Sequence, residues 1–217
     1  MGRDQFTSTE RIESFSDGVI AIIITIMILE FRLPENALDQ GLWLGIAKPI
    51  APKIMSYALS FLMLTQMWIG HHALMHNARY ATPILMWCNN NLLFWMSMIP
   101  FSTMILGDHP FTPTAVALYG ATLAITASSF TFLRWLVMTQ NDFHGETLTL
   151  FQTAQKRSIT AVVLYFFAMP TAFFSVYVSF AIYVSVPLMI FMWHVWLTRK
   201  ILSSHRKTGE PKLSKRR

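Results

Sequence analysis

Several side chains that could carry protons or bind metal ions lie inside apolar stretches of the sequence. Asp17 lies in the first stretch, and Trp68, His71 and His72 lie in the second, with His76 four residues after His72. Charged and imidazole groups are costly at membrane depth, so they are kept there for function or for essential packing. These residue types fit three roles: a proton relay, a metal site, or hydrogen bonds that hold helices together.

The histidines have the spacing of only part of a metal site. His72 and His76 are four residues apart, so both imidazoles can face one ion on a helix. The sequence has no third ligand spaced to complete that site. We therefore predict no metal and no cofactor, and we expect His71 and His72 to satisfy buried polar groups of the first helix.

The first apolar stretch has two distinct faces when it is drawn as a helix. At 100° per residue, a stripe roughly 100° wide carries bulky side chains, one glycine and one hydroxyl. Its members are Phe15, Gly18, Ile22, Thr25, Ile26 and Leu29. Asp17 falls nearly opposite this stripe, so the carboxylate and the aliphatic row serve different purposes.

A run of amides and a row of small residues mark two further helices. The amides of Asn89, Asn90 and Asn91 can bridge helices by hydrogen bonds, or they can face partners or water at one membrane edge. Both readings fit the sequence. The small residues indicate close helix packing, and they are Gly120, Ala124, Ala127 and Ser128.

The elements that position these residues must be helices in a membrane. Of 217 residues, 53% are hydrophobic and 13% are charged, about half the charge of a typical soluble domain. A span needs about 20 mostly apolar residues. We predict an all-α polytopic membrane protein with one domain at residues 1–200 and a basic cytoplasmic tail at 201–217. The six transmembrane helices are expected at about residues 12–33, 50–75, 84–106, 114–138, 158–175 and 179–198.

The distribution of positive charge predicts the orientation in the membrane. If both termini are cytoplasmic, 14 Lys and Arg lie inside, and three, Arg32, Lys48 and Lys53, lie outside. Eight of the 14 lie between Arg199 and Arg217, at the end of the last span and in the tail, where no aromatic residue is interleaved to stack on bases. We therefore predict a multi-pass membrane protein with both termini in the cytoplasm that contacts the lipid bilayer and binds no nucleic acid.

The first helix resembles that of the transmembrane protein 175 family, the endolysosomal potassium channels and their prokaryotic relatives. The resemblance is carried by Arg11-x-x-x-Phe15-Ser16-Asp17 and the apolar run that ends at Thr25. Trp68-x-x-His71-His72, the Asn run and Pro100-Phe101 also look like features of that family. Animal members of that family carry two such units in one chain, so the resemblance of this single unit of six spans implies a homotetramer of the prokaryotic type, in a prokaryotic cell membrane.

The resemblance also implies roles for individual residues. It places helix one around a central pore, with Ile22, Ile26 and Leu29 as the hydrophobic gate and Thr25 as the hydroxyl layer for selectivity. It further implies a structural network in which Trp68, His71 and His72 hold the motif of the first helix. The members of that motif are Arg11, Phe15, Ser16 and Asp17.

Two other function classes compete with a weakly selective, potassium-permeable cation channel. A proton-coupled secondary transporter could use Asp17 and the helix-two histidines as a relay, but such transporters often show repeats and broken helices, which the sequence lacks. An intramembrane enzyme would need a zinc motif or a nucleophile elbow. Neither occurs in the sequence, so we predict no enzyme. The sequence also lacks a TVGYG-like loop, so no carbonyl filter is expected.

Overall fold

Seven α-helices account for most of the chain in a computed structural model that describes residues 9–31, 39 and 41–208. A 3₁₀ turn, Met27–Glu30, follows the first helix, and a π-helical turn, Leu42–Ala47, leads into the second. No strand occurs among the described residues, and the predicted all-α fold is confirmed. The helices are α1 (Thr9–Ile26), α2 (Lys48–His76), α3 (Pro83–Ser97), α4 (Ile99–Asp108), α5 (Pro113–Gln140), α6 (Gly145–Thr171) and α7 (Val176–Thr208).

Helices α3 and α4 are two parts of one bent span. Pro100 has no N–H to donate to the carbonyl one turn earlier, and its ring disfavours a straight helix at that point. The break falls at Met98, whose N–H bonds to the Trp95 carbonyl oxygen at 3.2 Å. Counting α3 and α4 together, the described helices match the six predicted spans.

The last two helices differ from their predicted bounds. Helix α6 begins at Gly145 rather than at residue 158, and α7 continues to Thr208, into the predicted tail. The connection between them lies at residues 172–175 rather than 175–179. The prediction ended each helix where charged residues begin. Polar and charged residues can continue a helix, however, as long as no proline or glycine interrupts the run. The first three spans begin within three residues of their predicted positions.

Three of the described helices are long and apolar enough to cross a membrane by length and composition. These segments are Thr9–Leu29, Pro113–Gln140 and Val176–Trp193. The bend at Met98 divides the third predicted span into two short helices, and Gln66 and the histidines lower the hydropathy of α2. Helix α6 begins with a polar segment before its apolar part.

Helix α5 lies at the centre of the fold and packs against α3, α4, α6 and α7. Gly120 lets α7 approach, because a Cβ at this position would lie 2.0 Å from Tyr183 Oη. Tyr183 Oη donates to the Val116 carbonyl oxygen at 3.0 Å, and Tyr119 Oη lies 2.9 Å from Ser60 Oγ. The hydroxyls of the two buried tyrosines therefore form their hydrogen bonds inside the bundle.

Helix α1 packs on the other side of the bundle, against α2 and α3. On the predicted outer face, Lys53 at the start of α2 forms a 2.7 Å ion pair with Asp108 at the end of α4. Arg3, Arg32, the predicted end of the first span at Leu33 and residues 209–217 of the predicted tail lie outside the described residues.

Candidate functional site: the two faces of helix α1

Helix α1 buries one face in its own subunit. The buried residues recur every three or four positions, which is the spacing of one helix face. They are Ile12, Ser16, Ile20, Ile23 and Met27. This face holds α1 against α2 and α3 and fixes the direction of the opposite face.

The stripe predicted from the sequence lies on the exposed face of the single subunit. Ile22 is 62% exposed and Leu29 is 71% exposed, and Phe15, Thr25 and Ile26 are exposed as well. No described residue covers this apolar row. The five residues and Gly18 therefore form a continuous unpartnered face that runs along α1 and ends at Leu29 in the 3₁₀ turn after it. We call this face the α1 stripe.

Thr25 is the hydroxyl-bearing residue of the α1 stripe. Its Oγ1–H donates to carbonyl oxygens of its own helix, Ala21 O at 2.9 Å and Ile22 O at 3.1 Å. A hydroxyl has one proton and two acceptor lone pairs. Because the proton points back along the helix, the oxygen keeps acceptor capacity that can face an ion.

Asp17 and Glu13 lie one turn apart and meet α2. The Trp68 indole Nε1–H donates to Asp17 Oδ1 at 2.9 Å. His72 Nδ1 lies 2.6 Å from Glu13 Oε1. The two carboxylates thus each have a partner on α2, and both contacts tie α1 to α2 at the end of α1 that is predicted to be cytoplasmic.

His71 takes part in a second, buried connection that reaches α3. Its Nε2 lies 2.7 Å from Asn89 Oδ1, and Asn89 Nδ2 donates to Ser16 Oγ at 2.9 Å. Ser16 Oγ in turn donates to the Ile12 carbonyl oxygen at 2.8 Å. His71, Asn89 and Ser16 are all buried. One amide therefore joins three helices, because it accepts at one end and donates at the other.

The structure brings together most, but not all, of the predicted structural network. Ser16 reaches His71 through Asn89, and Asp17 contacts Trp68 directly. Arg11 is exposed and forms no hydrogen bond or ion pair with another described residue. Phe15 is 58% exposed on the α1 stripe, so neither of these two residues is held by the α2 side chains within one subunit.

The sequence interpretation missed Glu13 as a member of the network. Glu13 precedes Asp17 by four residues, the spacing that places two side chains on one helix face, and this signal could have identified it. Ligand atoms of Glu13, Asp17 and His72 lie within 4.8 Å of one another. That spacing could hold a cation, but in the structure each of the three already has a partner, Trp68 or another member of the cluster.

Two of the three amides of the Asn run bridge helices, which was one of the two readings that the sequence left open. Asn89 bridges α1 and α2, and Asn91 Nδ2 donates to Ser129 Oγ on α5 at 3.0 Å. Asn90, between them, is exposed. Consecutive residues on a helix point 100° apart, so three adjacent amides cannot share one partner.

Comparison with known proteins identifies the family. The model of the family described as "Endosomal/lysosomal potassium channel TMEM175" matches residues 11–100. A potassium channel of Chryseobacterium sp. (strain P1-3) is 32% identical over 179 residues, which is 82% of this chain and 90% of that protein. The chain belongs to the TMEM175 family.

Two further TMEM175 proteins extend this comparison. The crystal structure of a lysosomal potassium-selective channel TMEM175 homologue from Chamaesiphon minutus superposes with a TM-score of 0.75 at 25% identity. The match covers 85% of this chain and 96% of that one. The endosomal/lysosomal proton channel TMEM175 of Bos taurus is 28% identical over 152 residues, which are 65% of this chain but 31% of the bovine protein.

Membership of the TMEM175 family confirms three predictions. The resemblance of the first-helix motif identified the family correctly, and the matched segment 11–100 contains that motif together with Trp68, His71 and His72. The family consists of membrane ion channels, so the chain is a membrane protein and not an enzyme.

Proposed function

We propose that the chain forms a potassium-permeable, weakly selective cation channel whose pore is lined by the α1 stripe. The observation that supports this most directly is the exposed apolar row of α1, interrupted by the Thr25 hydroxyl, in a member of a potassium channel family. An uncovered apolar row on a subunit surface marks a contact with lipid or with other subunits. A pore-lining role explains why a hydroxyl is placed in the middle of that row.

The channel in this proposal is a homotetramer. One helix cannot surround an ion path, so several copies must converge on an axis. Four copies of α1, each anchored to its own subunit through its buried face, would direct four α1 stripes toward one another. The anchors are the Asp17–Trp68 and Glu13–His72 contacts and the buried Ser16–Asn89–His71 connection.

Ile22, Ile26 and Leu29 form the hydrophobic gate in this arrangement. Four bulky apolar side chains at one level of a narrow pore repel water, and ions do not pass a dewetted constriction. Ile22 is branched at Cβ and therefore stiff at χ1, which favours a defined constriction. Thr25, one turn further, supplies hydroxyl oxygens next to the gate.

The proposal places both termini in the cytoplasm of a prokaryotic cell. It rests on the 14 to 3 distribution of Lys and Arg. On this orientation the Asp17–Trp68 contact lies near the cytoplasmic end of the pore, and the Lys53–Asp108 ion pair lies outside. Labelling of a tag on the C-terminal tail in intact cells tests the orientation, because an impermeant reagent should not reach it.

A proton-coupled transporter remains the competing function. It would use Asp17 and the α2 histidines as titrating groups, and vertebrate relatives are named proton channels. In the structure these groups contact one another on the face of α1 away from the α1 stripe. That location supports a role in joining helices more than a role in carrying ions.

Single-channel recording distinguishes the two functions. Purified full-length protein in a planar bilayer with symmetrical potassium chloride should give unitary current steps, which a transport cycle is too slow to produce. A potassium gradient should then shift the reversal potential toward the potassium equilibrium potential. Uptake of potassium into proteoliposomes without any unitary steps would instead favour the transporter.

Cysteine labelling tests whether α1 lines the pore. The chain has one cysteine, Cys88, so a Cys88→Ser background carries a single new thiol. In this background a thiol reagent that is charged and soluble should block Ile26→Cys. The matched control is Ile23→Cys, on the buried face, which should stay unblocked. Equal block of both variants, or of neither, would contradict the proposed pore.

A further inference from the structure

A cavity away from the α1 stripe lies between α2, α5, α6 and α7. Its volume is about 470 Å³, within the range of about 300–1,000 Å³ that is usual for small-molecule sites. Most of its wall is apolar, with side chains such as Met67, Leu150 and Ile190. Two guanidinium groups also line it, those of Arg134 on α5 and Arg157 on α6.

Arg134 is buried without a carboxylate. It is 6% exposed, and no Asp or Glu among the described residues pairs with it or lines the cavity. Its neighbours are the Phe130 ring, whose centroid lies 4.5 Å from Cζ, and two oxygens, those of Ala154 O and Ser158 Oγ. An unpaired buried charge is strongly unfavourable, so the site favours an anion.

The guanidinium of Arg134 retains donors for such an anion. Both of its hydrogen bonds come from Nη1, whereas a guanidinium carries five N–H donors. Its Nε and Nη2 form no hydrogen bond with a described residue and are therefore available. This planar pair of donors matches the geometry of a phosphate.

Arg157 supplies a second positive charge next to the first. Its Cζ lies 3.6 Å from the centroid of the Trp193 ring, which holds the guanidinium over the aromatic face. Gln66 Oε1 is buried and has no hydrogen-bond partner among the described residues, and Gln66 also lines the cavity. An acceptor that lacks a donor indicates that the site takes a hydroxyl-bearing ligand or water in addition to the anion.

We propose that this cavity binds an anionic glycerophospholipid, with its phosphate on Arg134 and Arg157 and an acyl chain along the apolar wall. The two features point to one molecule, because an inorganic anion would leave the apolar part of the cavity unfilled and a lipid without a phosphate would leave both guanidiniums unpaired. A zwitterionic lipid has a phosphate, but its choline would bring a further positive charge to the two arginines. Basic pockets between membrane helices on the cytoplasmic side suit anionic head groups. Our predicted orientation puts both arginines on that side. The site is separate from the proposed pore and does not depend on it.

Native mass spectrometry of the purified full chain in detergent tests this site. The probes are dioleoylphosphatidylglycerol, dioleoylphosphatidylcholine and inorganic phosphate. The wild type should retain the anionic lipid at concentrations where the zwitterionic lipid is lost. Arg134→Gln and Arg157→Gln should each weaken binding of phosphatidylglycerol roughly tenfold or more, the loss expected for a charged hydrogen bond.

Arg79→Gln is the matched control. Arg79 is an exposed cation at the predicted cytoplasmic side and does not line the cavity, so its replacement should leave lipid binding unchanged. If Arg134→Gln fails to fold, lipid binding by Arg157→Gln alone tests the proposal. Arg157 is only half-buried, so its replacement should leave the fold intact.

Three results would overturn the proposal. Equal retention of the two lipids by the wild type would exclude recognition of the head group. An equal loss in Arg79→Gln would show general surface attraction rather than a site. Complete displacement of phosphatidylglycerol by millimolar inorganic phosphate would assign the cavity to the free ion, since a bound acyl chain should resist such competition.

Discussion

The Trp68 indole on α2 donates a hydrogen bond to the Asp17 carboxylate on α1 at a distance of 2.9 Å. Around α1, Asp17 lies about 140° from Ile22, which is near the middle of the α1 stripe. The contact therefore sets the rotation of α1 about its own axis, and that rotation decides which residues the helix presents at its uncovered face.

We predict that Asp17→Asn and Trp68→Phe both weaken the assembled channel. Each change removes a charge-assisted hydrogen bond or leaves its partner unsatisfied, at a cost of about 1–3 kcal/mol. The measurement is the fraction of tetramer that survives heating, followed by size-exclusion chromatography. In the double variant the two losses should not add, because both remove the same contact.

The control for these variants is Trp87→Phe, at an exposed tryptophan of α3, which should leave assembly unchanged. A stable Asp17→Asn channel with altered ion selectivity would show that Asp17 faces the ion path. That outcome would reverse the roles that we assign to the two faces of α1.

We predict that Asn89→Ala destabilises the fold by about 1–3 kcal/mol, whereas Asn90→Ala has little effect. Asn89 joins His71 and Ser16 in the core. Its loss leaves His71 Nε2 without a partner and Ser16 Oγ without a donor, although Ser16 still donates to the Ile12 carbonyl oxygen. Asn90 is exposed and has the same chemistry. Denaturation of the two variants in detergent measures the difference, and similar losses in both would refute the assigned bridge.

These contacts show which parts of the site the sequence could predict. The stripe of α1 followed from helical periodicity alone, since burial of one face leaves the other exposed. The Asp17–Trp68 contact was expected from the resemblance. The partners of His71 and His72 were not, because a sequence states which polar groups need satisfaction but not which neighbour lies nearest. Glu13 is the partner of His72, and Asn89 is the partner of His71, because α2 and α3 both pack against α1.

The positions of the helix ends were likewise predicted only in part. Hydropathy located six apolar spans, since burial in lipid demands about 20 apolar residues. It could not locate the start of α6 at Gly145, because that polar segment forms helix outside any apolar run. It also could not predict the cavity at Arg134, which depends on how α2 packs against the three consecutive helices α5, α6 and α7.

We predict that Gly120→Ala destabilises the bundle by about 1–3 kcal/mol, a usual cost of overpacking. Its Cβ would lie 2.0 Å from Tyr183 Oη, and Tyr183 is fully buried and cannot move away freely. Tyr183→Phe removes the nearest atom, so the double variant should lose less than the sum of the single variants. Strict additivity in thermal unfolding would mean that the two positions do not clash.

We predict that Ile22→Asn raises the basal current of the channel. A polar amide at this level of the α1 stripe would keep a ring of four side chains hydrated, and water in the constriction lowers the barrier to ions. Whole-cell or bilayer recordings at equal protein density measure the change. Ile28→Asn is the matched control, because Ile28 is exposed but lies outside the stripe.

The same recordings locate the gate along α1. An unchanged current in Ile22→Asn together with a raised current in Leu29→Asn would place the constriction nearer the outer end. A raised current in Ile28→Asn as well would indicate that any polar substitution disturbs the helix, and the gate would then not be assigned to the stripe.

The last prediction concerns Thr25, whose hydroxyl proton is engaged by Ala21 O while its oxygen is exposed. Four such oxygens at one level give an ion fewer ligands than stacked carbonyl rings do, so water must complete its shell and selectivity should be modest. We expect a preference for potassium, because it is larger than sodium and loses water more easily. We expect Thr25→Val, which keeps the shape, to reduce the preference for potassium. Thr25→Ser, which keeps the hydroxyl, should retain it. Reversal potentials under potassium and sodium gradients measure both variants, and an unchanged ratio in Thr25→Val would assign selectivity to pore width instead.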